Sequence, residues 1–309
     1  MTVHGNPFRE ASTSSAVYRW IWPSQIRLVS LLTVPGVLVV ATALILPLSY
    51  IVSFSLNSSR VGVTELTGEL TFAQYIKLFS DYFYLNILGR TTLIAAITTA
   101  ICAVTGYVLA FSLWKASPRA RAIGTVIVLA PLLVSIVART YGWMVILGDQ
   151  GLLNNLLMAL GFINRPIQMM YSQGAIIVGL VHVLLPFMVL SILASLERLD
   201  PALGEAASTL GASPLTVVRL VFLPLSLPGL VAGIIIVFSL SMSAYVTPAL
   251  MGGSNANTVT TLIYQQFVIV YNWHFGSALV VLLLATSLVL MVGMIHAVGR
   301  WTKAWSVEA

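Results

Sequence analysis

Charge is scarce in this chain. Only 8% of its 309 residues are Asp, Glu, Lys or Arg, whereas a soluble domain carries roughly 25%. That shortage excludes a water-facing globule of this size. Cysteine is nearly absent as well. Cys102 stands alone inside an apolar run, so there is neither a disulfide framework nor a cysteine metal motif. No Gly-x-x-x-x-Gly-Lys-Ser/Thr loop occurs to cradle phosphates. No Gly-x-Ser-x-Gly turn occurs to present a nucleophilic serine. The first 28 residues lack the apolar core and small-residue cleavage site of a secretory signal. The bases behind the net charge of +6 are scattered rather than gathered on one stripe, which argues against nucleic acid as a partner.

What remains is apolar, 59% of the chain, and it comes in long runs. No charged residue interrupts the chain between Arg27 and Arg60, between Arg90 and Lys115, between Arg165 and Glu197, or from Leu220 to Gly299. A helix of ~20 apolar residues crosses the ~30 Å hydrocarbon layer, and backbone groups in lipid must bond within their own helix or barrel. The reading is an all-α, polytopic membrane protein with six spans, over 29–54, 92–114, 123–147, 174–196, 227–250 and 276–298. The turn-prone Gly252-Gly253-Ser254-Asn255-Ala256-Asn257 separates the last two and is expected at a membrane surface. Residues 1–28 and 299–309 are tails, and 29–298 form the membrane domain.

Lys and Arg concentrate on one side. Arg9, Arg19, Arg27, Lys115, Arg119, Arg121, Arg198, Arg219, Arg300 and Lys303 fall there, against Arg60, Lys77, Arg90 and Arg165 on the other. The richer side is expected to be cytoplasmic, which puts both termini inside. Trp20, Trp22, Trp301 and Trp305 flank the outermost spans as expected headgroup anchors. Phe72, Tyr75, Ile76, Phe79, Phe83 and Ile87 recur at helical spacing, which predicts a helix at the outer surface.

The loop over 197–224 is punctuated like a device. Asp200 is placed to cap a short helix whose first position suits Pro201. Gly211 can adopt the left-handed conformation that ends it. Ser213-Pro214 opens a second helix, expected to break at Pro224 before Pro228 starts the fifth span. Glu205, Ala206, Ala207, Gly211, Val221, Leu223 and Pro224 spell Glu-Ala-Ala, three residues, Gly, nine residues, an aliphatic, one residue, Leu-Pro.

That pattern resembles the signature of permease subunits of bacterial ABC importers, with Val221 where isoleucine is usual. Gly106-Tyr107-Val108-Leu109-Ala110, Arg139-Thr140-Tyr141-Gly142-Trp143, Gly151-Leu152-Leu153-Asn154, Leu185-Pro186-Phe187 and Thr247-Pro248-Ala249-Leu250-Met251-Gly252-Gly253 are similar to the spermidine/putrescine-type branch. The resemblance implies a bacterial inner-membrane permease that performs no catalysis and holds no cofactor. It implies a cytoplasmic ATPase dimer, a second permease, usually a paralogue, and a periplasmic binding protein as partners. It implies that Glu205, Ala206, Ala207, Gly211, Leu223 and Pro224 belong to a coupling helix and its flank, docking in an ATPase groove.

For the solute path the candidates are Arg139, the only formal charge inside a span, with Tyr141, Trp143, Ser243, Tyr245 and Thr247. Arg139, about seventeen residues into its span, also suits a snorkelling anchor. Ser239, Ser241, Ser243, Tyr245 and Thr247 alternate with apolar residues, and hydroxyls there line a path or pack helices. His182 and His296 stand alone and are expected to pack. Ala244 and Ala249 stand where some polyamine-type relatives carry acids. Two rivals are weaker. An ion-coupled secondary transporter needs intramembrane acids, which the spans lack, and an intramembrane serine protease needs a Ser beside a His base.

Overall fold

The computed structural model describes residues 14–57, 69–253 and 256–307, with side chains from 33 to 297 within those ranges. The expected anchors Trp20, Trp22, Trp301 and Trp305 therefore lie outside the described side chains, and so does Ser254-Asn255 of the surface turn. Thirteen α-helices carry the described chain: α1 Ser14–Ser55, α2 Ala73–Ser80, α3 Tyr82–Lys115, α4 Pro118–Leu133, α5 Ile136–Leu147, α6 Leu152–Ala159, α7 Gln173–Leu196, α8 Ala202–Thr209, α9 Pro214–Val217, α10 Leu223–Ser243, α11 Val246–Met251, α12 Val259–Tyr264 and α13 Trp273–Val307. Two π-helical turns, Val218–Phe222 and Gln265–Ile269, join α9 to α10 and extend α12. The chain is all-α, as composition requires.

Among the described residues, five helical stretches are long and apolar enough to cross a membrane: Thr33–Ser55, Tyr82–Lys115, Gln173–Leu196, Pro214–Ser243 and Trp273–Ala297. α1 as far as Ser53 is a compact unit of its own. Its residues Val37, Leu38, Val39, Val40 and Leu44 set apolar side chains all round the helix, as a membrane span requires. The second unit, from Phe54 onward, is built on α3, α7 and α10 packed against one another. Glycines let these three come close. A Cβ on Gly229 would lie 2.5 Å from the Ser191 carbonyl oxygen, and one on Gly106 would lie 2.7 Å from Met188 Cγ. Between helices in lipid, packing of this kind replaces the hydrophobic drive. Gly229→Leu should therefore lower the detergent melting temperature sharply. Overpacking costs ~1–3 kcal/mol when side chains can give way, and a backbone carbonyl cannot. An unchanged melt would refute the close approach.

The third span is not one rod. α4 and the stretch Ile136–Ala159 meet at 95°. Pro131 lies in the last turns of α4 and supplies no amide, and Val134 is extended. Arg139 Nη2 donates to the Val134 carbonyl at 2.9 Å, which satisfies an acceptor that the break leaves open. The fifth span also stops early. α10 ends at Ser243, Ala244 is extended, and Thr260 Oγ1 donates to the Ala244 carbonyl at 2.7 Å.

In the opposite sense, the break expected at Pro224 is absent. Helix runs without interruption from Pro214 to Ser243, because the π-helical turn just before Leu223 widens the spiral where the proline ring would clash and where its missing amide would be needed. The helix expected over Phe72–Ile87 is two elements. Asp81 is extended and accepts from the Phe83 amide at 2.9 Å, ending α2 and capping α3.

Candidate functional site: the α8 loop and the transmembrane hydroxyls

The loop between α7 and α10 folds largely as its residues dictate. Asp200 Oδ1 accepts from the Ala202 amide at 2.9 Å and caps α8. At the far end Gly211 has φ +85°, Ala212 N donates to Ala207 O at 3.1 Å, and Gly211 N donates to Ser208 O at 3.0 Å. This is the paired closure that a left-handed glycine permits. Ser213 Oγ then accepts from the Thr216 amide at 3.3 Å and starts α9.

α8 is seated by a residue that its sequence pattern hides. Gly204 is buried, and a Cβ there would lie 2.7 Å from Phe222 Cζ. Phe222 is itself packed edge-on to Trp114 at 4.9 Å and beside Phe111 at 5.8 Å. The helix thus rests on an aromatic wall supplied by α3 and the π turn. Between that wall and α8 lies an open cleft of about 510 Å³, lined in part by Lys115, Glu205, Ser208 and Phe222. Lys115 Nζ hovers 5.6 Å from the rings of Trp114 and Phe222.

Glu205 and Ala206 are exposed and Ala207 is half-buried. Leu210 and Leu215 remain 89% and 77% exposed on either side of the Gly211 turn. Large apolar side chains left this exposed side by side are unusual on a surface that faces only water. Leu223 and Pro224 are half-buried at the start of α10, and Val221 packs against the main core.

Arg121, read from the sequence only as loop charge, ties this region together. Its Nε donates to Leu113 O at 3.1 Å and its Nη2 to Trp114 O. Its Nη1 lies 3.7 Å from Glu197 Oε1 at the end of α7. The ends of α3 and α7 and the start of α4 are joined by one guanidinium.

The six path candidates do not gather at one place. Arg139 sits in the first turn of α5, bonded to Val134, with Nε and Nη1 buried and unpartnered. One turn on, Trp143 Nε1 donates to His182 Nδ1 at 3.1 Å. Indole only donates, so Nδ1 of His182 is the acceptor in this contact. Trp143 and His182, thirty-nine positions apart, gave no joint signal in the sequence. Thr247, on α11 beside α5 and α7, is buried. Its Cγ2 lies 2.7 Å from where a Cβ on Gly179 would stand, and its Oγ1 has no partner.

Tyr141 is exposed on the other side of α5. Tyr245 packs ring to ring with Tyr264 at 4.8 Å. Ser243 opens on a groove of about 250 Å³ between α10 and α13, with Ser239 and Ser287. The alternation of serines splits on a helix. Ser239 and Ser243 share a face, while Ser241 points away and is buried.

Apolar spans with a capped loop seated on them define a membrane-embedded helical protein. Comparison places it within a family: residues 103–303 match the binding-protein-dependent transport system inner membrane component, and the chain belongs to that family. It is an ABC importer permease, a multi-pass inner-membrane subunit, and ATP hydrolysis in this family falls to a separate subunit.

The chain is 31% identical over 278 residues to the spermidine/putrescine transport system permease protein PotB of Haemophilus influenzae, covering 90% of each chain. It is 34% identical to PotB of Escherichia coli over 72% of this chain and 83% of that one. It is 30% identical to the putative 2-aminoethylphosphonate transport system permease protein PhnU of Salmonella typhimurium, over 75% and 79%. In fold it is similar to a chain of a bacterial alginate ABC transporter in complex with a periplasmic protein, with TM-score 0.75 at 18% identity, over 92% of this chain and 98% of that one.

Proposed function

We propose that this permease forms the path of a small polar solute handed over by a periplasmic binding protein, and that α8 is the element a cytoplasmic ATPase dimer grips. The observation that carries the reading is the seating of α8. It is capped by Asp200, closed by Gly211 and held on Phe222, while Glu205, Ala206 and Leu210 are left outward. Glu205 offers a carboxylate to a basic side chain of the ATPase, and the two alanines keep the docking face thin. Leu223 and Pro224 carry the motion into α10, because the helix is continuous there. Both termini then lie on the cytoplasmic side with α8, and the membrane domain spans 29–298 between short tails. The second membrane subunit is a paralogue.

The proposed solute is a polyamine such as spermidine or putrescine, or a related small organic molecule. Support comes from the names of the PotB relatives and, for the wider class, of PhnU. The spans hold no Asp or Glu, so ammonium groups would be received by aromatic faces. Trp143, Tyr141 and Tyr245 supply such faces and Ser243 a hydroxyl on the α10–α13 groove, whereas the Arg139 guanidinium would repel a polycation and Thr247 is buried in the packing of α11. The absence of span carboxylates also speaks against the acidic proton relay of many secondary transporters.

Cysteine placed at Ala207 tests the docking. In inner-membrane vesicles it should crosslink to the ATPase subunit, in a yield that changes with ATP. A label that finds only water, with uptake intact, would sink the proposal.

A further inference from the structure

α2 and the first turn of α3 carry an apolar face that none of the described residues covers. Phe72, Ile76 and Phe79 fall at i, i+4 and i+7, on one side of a helix, and stay 67%, 64% and 57% exposed. Tyr82 and Phe83 continue the exposure past Asp81. The opposite flank is firmly held. Leu78 is fully buried with Ile87, Val259, Leu262 and Phe275, Tyr75 Oη shares a hydrogen bond with Ser55 Oγ at 2.7 Å, and Lys77 Nζ lies 4.7 Å from the Phe275 ring. A helix fixed so well on one side does not display three large apolar residues to water by accident.

The cover follows from the helix to which α2 is joined. α3 has 34 residues, about 50 Å of helix at ~1.5 Å per residue, whereas the hydrocarbon layer is ~30 Å thick. Its Lys115 end meets the α8 cleft, so its Tyr82 end, with α2, stands at the opposite membrane surface. Exposed apolar residues of α3 run from Tyr82 through Leu93, Ile97, Val104 and Val108, a surface for lipid tails, and the α2 stripe lies beyond their Tyr82 end, across the extended Asp81. Aromatic rings concentrate where tails give way to headgroups. Lys77 and Asp81, exposed beside the stripe, suit the wet side of the same boundary. We propose that α2 is an interfacial helix. It lies in the lipid headgroup–tail boundary on the surface opposite α8, with Phe72, Ile76 and Phe79 in the tails, and sets the height at which α3 crosses.

Spin labels test this on the complete transporter in lipid nanodiscs. Cysteines replace Ala73, Ile76 or Phe79 one at a time, with Cys102→Ser as background. Labels at 76 and 79 should collide more with oxygen, which partitions into lipid, than with a water-soluble nickel chelate. The label at 73, on the same helix but off the stripe, should show the reverse. Two stripe positions guard against one variant failing to assemble. Preference for nickel at both would mean a water-facing helix, and protection from both reagents would mean a protein cover. Either result overturns the proposal.

Discussion

Gly211→Val should reduce ATP-dependent uptake to the level of a strain lacking the ATPase, with the amount of permease in the membrane unchanged. Gly211 holds φ +85°, where a β-branched residue costs on the order of 1–3 kcal/mol. That strain falls on a loop at the membrane surface rather than on the α3–α7–α10 core, so the chain still inserts. The cheapest release is to swing residue 211 to negative φ. This breaks the Ala212–Ala207 and Gly211–Ser208 hydrogen bonds and redirects the chain between α8 and α9. α8 then loses the fixed angle at which it meets the partner.

Glu205→Ala leaves the backbone alone and removes only the carboxylate, and it should give the same loss of uptake if that group pairs with the ATPase. A third variant separates seating from docking. Gly204→Leu pushes into Phe222 and lifts α8 from its aromatic wall, so the purified permease should also lose its ATPase subunit on size exclusion. The readout is solute uptake set beside membrane abundance. Wild-type uptake in Gly211→Val and Glu205→Ala together would refute the coupling role.

The loop could be read so closely because its grammar is local. Asp200, Pro201, Gly211 and Ser213 each act on amides within four residues, a range that a sequence displays directly. Spans were legible for a similar reason, since an apolar run of sufficient length has one way to satisfy its backbone in lipid. Where the spans bend was not. The run over 123–147 has the same hydropathy whether straight or folded at 95°. Its one local sign, Pro131, reads the same as Pro186, which sits inside unbroken α7. Pro224 misled in the other direction, since a π-helical turn absorbed it.

The site chemistry was legible only in part, because it depends on pairs far apart in the chain. Trp143 finds His182, Tyr245 finds Tyr264, and Gly204 finds Phe222. None of these carries a spacing rule. For the alternating serines lining and packing stayed open, because alternation is the period of a strand and a helix sends them to different faces.

Arg121 should be the second sensitive position, and its failure should look different. Two of its bonds go to the last carbonyls of α3, and one weaker contact goes to Glu197 at 3.7 Å with both side chains partly exposed. An exposed ion pair contributes ~0–1 kcal/mol, whereas a hydrogen bond from a charged donor contributes ~1.5–3 kcal/mol, less where water reaches it. The carbonyls therefore dominate, and Glu197→Gln should be nearly silent. Arg121→Lys should not rescue the loss, because an ammonium cannot fork to two carbonyls as a planar guanidinium does.

Arg121→Ala loosens the joint between α3, α4 and α7 but leaves α8, its caps and Glu205 in place. The ATPase should still bind and hydrolyse ATP, while its motion is transmitted less faithfully to the bundle. If losing these bonds costs the joint's aligned state about 1.4 kcal/mol, its population relative to misaligned states falls tenfold, so solute moved per ATP should fall about tenfold in proteoliposomes, with ATPase turnover close to wild type. Parallel loss of hydrolysis and uptake would place Arg121 in docking instead, and unchanged coupling would show that the joint is not part of the lever.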